Sequence, residues 1–212
     1  MRCYKYLNQM KILYLYYNQP EAIKHLESIG LNKSPFEVII IDDGSTPKLN
    51  CDWATVYRIE KDIPWNMSRA NNLGFSMLNP NDTVLRLDID HWFSLEDLKK
   101  LGKITLKPKE IIKFNRIVCS EKPYLTKPPP NIYMARVVDL LNIGGYDERF
   151  CGNYGYEDKE LMHRLKNNGF KETISEVLVN TKASLHTKGL NRDLTINREL
   201  YLELIKQVQD RL

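Results

Sequence analysis

Hydrophobic positions along the chain switch repeatedly between two periods. Residues 11–17, KILYLYY, are apolar and aromatic without a polar face, which predicts a buried strand. In NQPEAIKHLESIG, Pro20 suits a first helical position, Ala22, Ile23, Leu26 and Ile29 recur at helical spacing, and Gly30 closes the element. FEVIIIDDGST is a second buried strand that runs into a turn, and TVYRIEKD is a third. From about Asn66, the apolar set Met67, Ala70, Leu73, Met77 and Leu78 predicts a helix. TVLRLDID is the fourth strand, and SLEDLKKLG a helix with Ser94 as cap and Asp97 at the capping-box position.

The second half is less regular. IIKFNRIVCS predicts a strand, and SEKPYLTKPPPN a loop, because Pro128 to Pro130 cannot pair in a ladder. IYMARVVDLLNIGGYDERF reads as a strand, a short helix and a Gly-Gly turn. YEDKELMHRLKNNGF predicts a helix with Leu161, Met162 and Leu165 inward and Gly169 at its end. KETISEVLVNTKASLHT holds further strand, and TINRELYLELIKQVQDRL a closing amphipathic helix. Strands alternating with helices imply an α/β fold, a mostly parallel central sheet with helices on both faces. Without an internal repeat or a linker, one domain over 1–212 is expected.

Composition changes this picture little. With 212 residues, 42% hydrophobic and 27% charged, the chain can bury a sizeable core. The net charge of +4 is spread rather than blocked, which argues against nucleic acid as a partner and leaves acidic small molecules such as nucleotides. The four cysteines show no C-x-x-C spacing, so neither a zinc site nor a disulfide framework is expected. ILYLYY is too short to span a bilayer, and no cleavage site follows it, so the expectation is a cytoplasmic protein without a transmembrane segment.

The candidate chemistry sits where strands end, the edge at which α/β sheets bind ligands. In TVLRLDID, strand alternation puts Asp88 and Asp90 on one face, and two like charges there need a cation. Either Arg86 supplies it or a divalent metal does; carboxylate oxygens suit magnesium or manganese. The same parity points His91 away from Asp90. Asp42 and Asp43 end the second strand, where an acid can bind a nucleobase or ribose; alternatively Asp43 closes the turn by bonding its own backbone. Glu157 and Asp158 open a predicted helix, whose dipole would keep a first-turn carboxylate ionised, as a general base requires. Ordinary helix-start acids would look the same.

Together these motifs resemble the glycosyltransferases of the A-type fold, family-2-like, which carry a strand ending in D-D-G-S-T and later a D-x-D. WNMSRANNLGF resembles their helix beside the nucleotide, which implies that Arg69 faces the uridine or diphosphate; a surface ion pair is its alternative. GGYDERFCGNYGYEDKELMHRL is similar to a segment of the animal β-galactosyltransferases and bacterial chondroitin polymerases. There the resemblance implies Asp158 as the base, Glu157, Tyr154 and Gly155 at the acceptor, and Arg164 as the later arginine. Lys159 and Tyr156 depart from that pattern. In SLHTKG, His186 takes the place of the histidine that completes the metal site with Asp90 and Asp88.

The resemblance implies a metal-dependent, inverting glycosyltransferase. Its cofactor would be Mn2+ or Mg2+, its donor a nucleotide-diphosphate sugar, with a UDP-sugar favoured, and its acceptor a glycan or glycoconjugate. Asp42, Asp43, Arg69 and Asp88 would bind the donor. Residues 1–92 would then form the nucleotide-sugar half and 93–212 the acceptor and catalytic half. A sugar-1-phosphate nucleotidyltransferase is one alternative, although YYNQPEAI lacks the glycine-rich basic loop such enzymes place after the first strand. A catalytically silent carbohydrate-binding module on the same fold is the other.

Overall fold

The computed structural model describes residues 10–185 and 190–209. Its amino-terminal strands β1 (Met10–Tyr16), β2 (Val38–Asp43), β3 (Thr55–Ile59) and β4 (Thr83–Asp88) lie in the order β3-β2-β1-β4, every neighbour parallel. Strand alternation divides their side chains between two cores. Ile12, Tyr14, Val38, Ile40, Leu85 and Leu87 pack on one face with Ala22 and Leu26 of α1 (Pro20–Ser28) and Leu98 of α3 (Leu95–Leu101). Leu13, Leu15, Ile39, Ile41 and Val84 pack on the other, against α2 (Met67–Ser76), α4 (Val137–Asn142) and α5 (Glu157–Asn167). The result is a sheet between two helical layers.

Beyond β4 the nine-stranded sheet becomes mixed. β8 (Tyr133–Arg136) is antiparallel to both β4 and β6 (Glu110–Val118), and β9 (Lys171–Thr181) is parallel to β6. One sheet thus runs through both halves of the chain.

Three details differ from expectation. The fourth strand stops at Asp88; Ile89 and Asp90 form a turn, and His91–Trp92 make a short strand, β5, antiparallel to β9. The stretch expected as loop holds β7 (Tyr124–Thr126), which pairs with Arg116–Val118 before the prolines begin. Third, Asp97 accepts a hydrogen bond from Ser94 Oγ rather than reaching back to its main chain, although Ser94 caps α3 as expected.

The last described helix, α6 (Thr195–Gln209), is tied to the body by Asn197 and by Tyr201, whose ring packs on Tyr156 with centroids 5.2 Å apart. Asn197, fully buried, points its amide nitrogen at the carbonyl oxygens of Phe150, Asn153 and Gly155 at 3.0, 2.8 and 2.8 Å. No helix among the described residues is long and apolar enough to cross a membrane.

Candidate functional site

A cleft of about 530 Å³ opens at the carboxyl ends of β1 and β4. The chain leaves β1 toward β2 and returns from β3 to β4 on β1's other side, so this is the point where a parallel sheet leaves a crevice. Asp43, Asp88, Asp90, Glu157 and Asp158 all line it, with Tyr16, Trp65, Asn66, Arg116, Asn131, Tyr154, Gly155 and Lys159.

Asp42 and Asp43 separate. Asp42 shares the parity of Ile40, is 1% exposed and closes the turn: it accepts from the main-chain N–H of Ser45 and of Leu49, both at 3.0 Å, and from Arg58 Nη1 at 2.5 Å. It is absent from the cleft lining. Asp43 faces the cleft, where its Oδ1 accepts from Asn66 Nδ2 at 2.8 Å, and burial pushes its pKa up to about 6. The turn-closing acid is therefore the first of the pair, whereas the sequence suggested the second. Arg69 lies off the cleft lining, half-exposed and paired with Glu148 at 3.3 Å, the surface ion pair that was its alternative.

Asp88 is held by two donors: Arg86 Nη1 bonds its Oδ1, and Asn131 Nδ2 its Oδ2. Arg86 itself is fully buried and also donates to Asn71 Oδ1 at 2.8 Å and Asn131 O at 2.6 Å. Burial would lower its pKa, but Asp88, Tyr146, Asp158 and Tyr133 together more than offset this, so it stays a cation. The protein thus supplies a cation to Asp88 itself. Because the strand ends at Asp88, parity no longer governs the residues after it. The turn brings His91 Nδ1 to 2.9 Å from Asp90 Oδ1, against the expectation that it points away. Asp88, Asp90 and His91 each offer a ligand atom, all within 4.8 Å of one another. His186 lies outside the described residues.

Glu157 and Asp158 sit on the first turn of α5. Tyr156, in the left-handed region at φ 71°, and Gly155, at φ 83°, redirect the chain so that the helix starts facing the cleft. Glu157 is 7% exposed, and its Oε2 has no hydrogen-bond partner among the described residues. Asp158 Oδ1 accepts from Tyr146 Oη at 2.9 Å, and Tyr146 Oη in turn accepts from Tyr133 Oη at 3.2 Å. Burial, and then the charge of Asp158, pushes Glu157 up to about 8; burial also raises Asp158 above the usual aspartate range. The helix dipole was expected to hold both ionised, and desolvation outweighs it.

Arg164 does not reach the cleft. It binds Glu160 through two hydrogen bonds, at 2.6 and 2.7 Å, and the carbonyls of Ile143 and Gly145 at 2.7 Å, which locks α5 onto the Gly-Gly turn. Tyr154 packs against Trp65 with ring planes tilted by 49° and centroids 4.5 Å apart, and Lys159 Nζ sits 4.4 Å from the centre of the Tyr156 ring. Asn131 and Arg116 had no local signal in the sequence, and Trp65 only its place at the head of WNMSRANNLGF; the fold brings all three to the acids.

The model of glycosyl transferase family 2 matches residues 16–194. None of the curated proteins compared matches the chain in sequence. In fold it is similar to the crystal structure of GalNAc-T7 with UDP, GalNAc and Mn2+, at 12% identity and a TM-score of 0.55 over 84% of this chain and 44% of that one. It is also similar to the mannosyltransferase PcManGT from Pyrobaculum calidifontis in complex with GDP-Man and Mn2+, at 11% identity and 0.57 over 88% and 59%. The chain spans about half the length of these two structures. The α/β architecture is the glycosyltransferase A-type fold, and the chain belongs to glycosyl transferase family 2.

Proposed function

We propose that this family 2 domain transfers a sugar from a nucleotide-diphosphate donor to a carbohydrate hydroxyl, with inversion and with a divalent ion. The observation that carries this reading is the gathering of Asp43, Asp88, Asp90, Glu157 and Asp158 around one cleft at the β1–β4 switch point. Asp43 and Asn66 would bind the nucleoside, uridine being favoured. Asp88, fixed by Arg86 and Asn131, would meet the ribose or an ion-bound water. Arg69 and Asp42 would support these groups from behind. The two complexes similar in fold were crystallised with Mn2+.

The donor set fits Mn2+ or Mg2+. Asp90 and Asp88 offer hard oxygens within reach of one another, and His91 joins them, its buried Nε2 having no hydrogen-bond partner among the described residues. His186 is proposed as a further ligand. When bound, such an ion neutralises negative charge on the leaving diphosphate.

Asp158 would take the acceptor proton. Its raised pKa makes it a stronger base than an exposed aspartate, and the Tyr146 hydroxyl fixes its orientation. As the acceptor oxygen bonds to the anomeric carbon, the bond to the diphosphate breaks and the proton passes to Asp158. A single displacement inverts that centre. Glu157, Tyr154 and Gly155 would position the acceptor ring, in keeping with the resemblance of residues 144–165 to β-galactosyltransferases and chondroitin polymerases. Residues 1–212 would act as one domain, about 1–92 binding the donor and about 93–212 the acceptor.

The test is nucleotide release from sugar nucleotides with manganese present. Release that disappears in Asp90→Ala is the expected result. Release untouched by that substitution removes the metal assignment, and no release or transfer from any donor removes the activity.

A further inference from the structure

Two buried cations take no direct part in this chemistry. Lys113 on β6 is 4% exposed and Arg86 on β4 is 0% exposed. Burying a charge is costly unless good hydrogen bonds compensate it. Lys113 Nζ donates to the carbonyl oxygen of Pro130 at 2.5 Å, lies 3.9 Å from Met162 Sδ, and faces the Tyr133 ring at 5.5 Å. Burial pushes the ammonium down to about 8, with Asp158 and Glu172 acting on it only through space. Arg86 reaches the next carbonyl in the chain, Asn131 O, at 2.6 Å. Two cations therefore grip consecutive main-chain oxygens, and the side chain of the second residue, Asn131, donates to Asp88.

The sequence explains why cations do this. Pro128, Pro129 and Pro130 have no N–H, so over that run the main chain can be pinned only through its carbonyl oxygens. Charged donors make the stronger bonds to such acceptors. Pro130 and Asn131 both line the cleft.

We propose that Lys113 and Arg86 are positioning residues that clamp the Pro130–Asn131 corner and, through the Asn131 amide, set Asp88 for a nucleoside diphosphate. The proposal rests on the donor-site reading above, and its test separates the two. Lys113→Met keeps the volume and removes the desolvated charge, so it is expected to fold with Tm unchanged or raised. Its affinity for a nucleoside diphosphate with manganese should fall about tenfold, the scale of one charge-assisted hydrogen bond. Asn131→Ala should fall similarly, and the double variant no further than the larger single, because both act through one contact. Independently of any ligand, amide hydrogen exchange at Asn131 and Ile132 should quicken in Lys113→Met.

Affinity within twofold of native in either single variant, or additive losses in the double, overturns the link to Asp88. Unchanged exchange in Lys113→Met overturns the clamp. If the native protein binds no nucleoside diphosphate, the donor reading fails, the link to Asp88 falls with it, and the clamp is decided by exchange alone. If Lys113→Met does not fold, Asn131→Ala decides the link by affinity, and Lys113→Gln decides the clamp by exchange.

Discussion

Two pairs of neighbouring acids border the cleft, and their backbones treat them oppositely. Asp42 and Asp43 end a strand, so they take opposite faces: one is saturated by protein donors inside the turn, the other faces the cleft. Glu157 and Asp158 begin a helix, where consecutive side chains diverge by only about a quarter-turn. Both line the cleft, the charge of Asp158 raises the cost of ionising Glu157, and both pKa values rise with burial. The strand separates structure from chemistry between two residues; the helix couples them.

The hardest blow to the helical pair is Asp158→Asn, expected to lower the transfer rate about 10²–10⁴-fold, the usual worth of a general base, with Tm held or raised. Equal rates for native and variant protein would place the base elsewhere. For the strand pair, Asp42→Ala should cost roughly 2–4 kcal/mol of stability, because Ser45 and Leu49 lose their acceptor. Chemical denaturation measures it, and a variant as stable as native would mean that the turn closes without Asp42. Asp43→Asn should fold normally and weaken nucleotide binding about tenfold, the loss of one hydrogen bond to a charged group, read by calorimetry.

The smallest effect concerns pH. Glu157 has a folded pKa raised to about 8, so its contribution to stability is fully present below its usual value near 4.5 and fades as pH rises through 8. Glu157→Gln should therefore raise Tm at pH 8 and leave it little changed at pH 5. A thermal scan in which the variant gains equally at both would separate Glu157 from the titration.

Most elements were legible because each strand and helix carries its own period. The strand edge holding Asp43 and Asp88, and the helix start holding Glu157 and Asp158, came from those local patterns. The features that stayed hidden depend on contacts far along the chain. β7 depends on pairing with β6, and β5 on pairing with β9. The strand end at Asp88 defeated the parity argument for His91, since alternation holds only while the strand lasts. Arg86 was visible as a rival to the metal, but Asn131, 43 residues beyond Asp88, was not. Its role needs three strands in place.

Asn197 carries a consequence for how the cleft should respond to warming. One amide from a peripheral helix secures the Phe150–Gly155 loop that leads directly into Glu157 and Asp158. Local openings release the least-buried units first, and α6 exposes Ile196 and Leu202 to solvent. Warming should therefore loosen this wall of the cleft while the sheet still stands, so transfer activity is expected to fade at a lower temperature than circular dichroism reports for the fold. That wall of the cleft would then be a shutter hung on α6, with an asparagine as one of its pins.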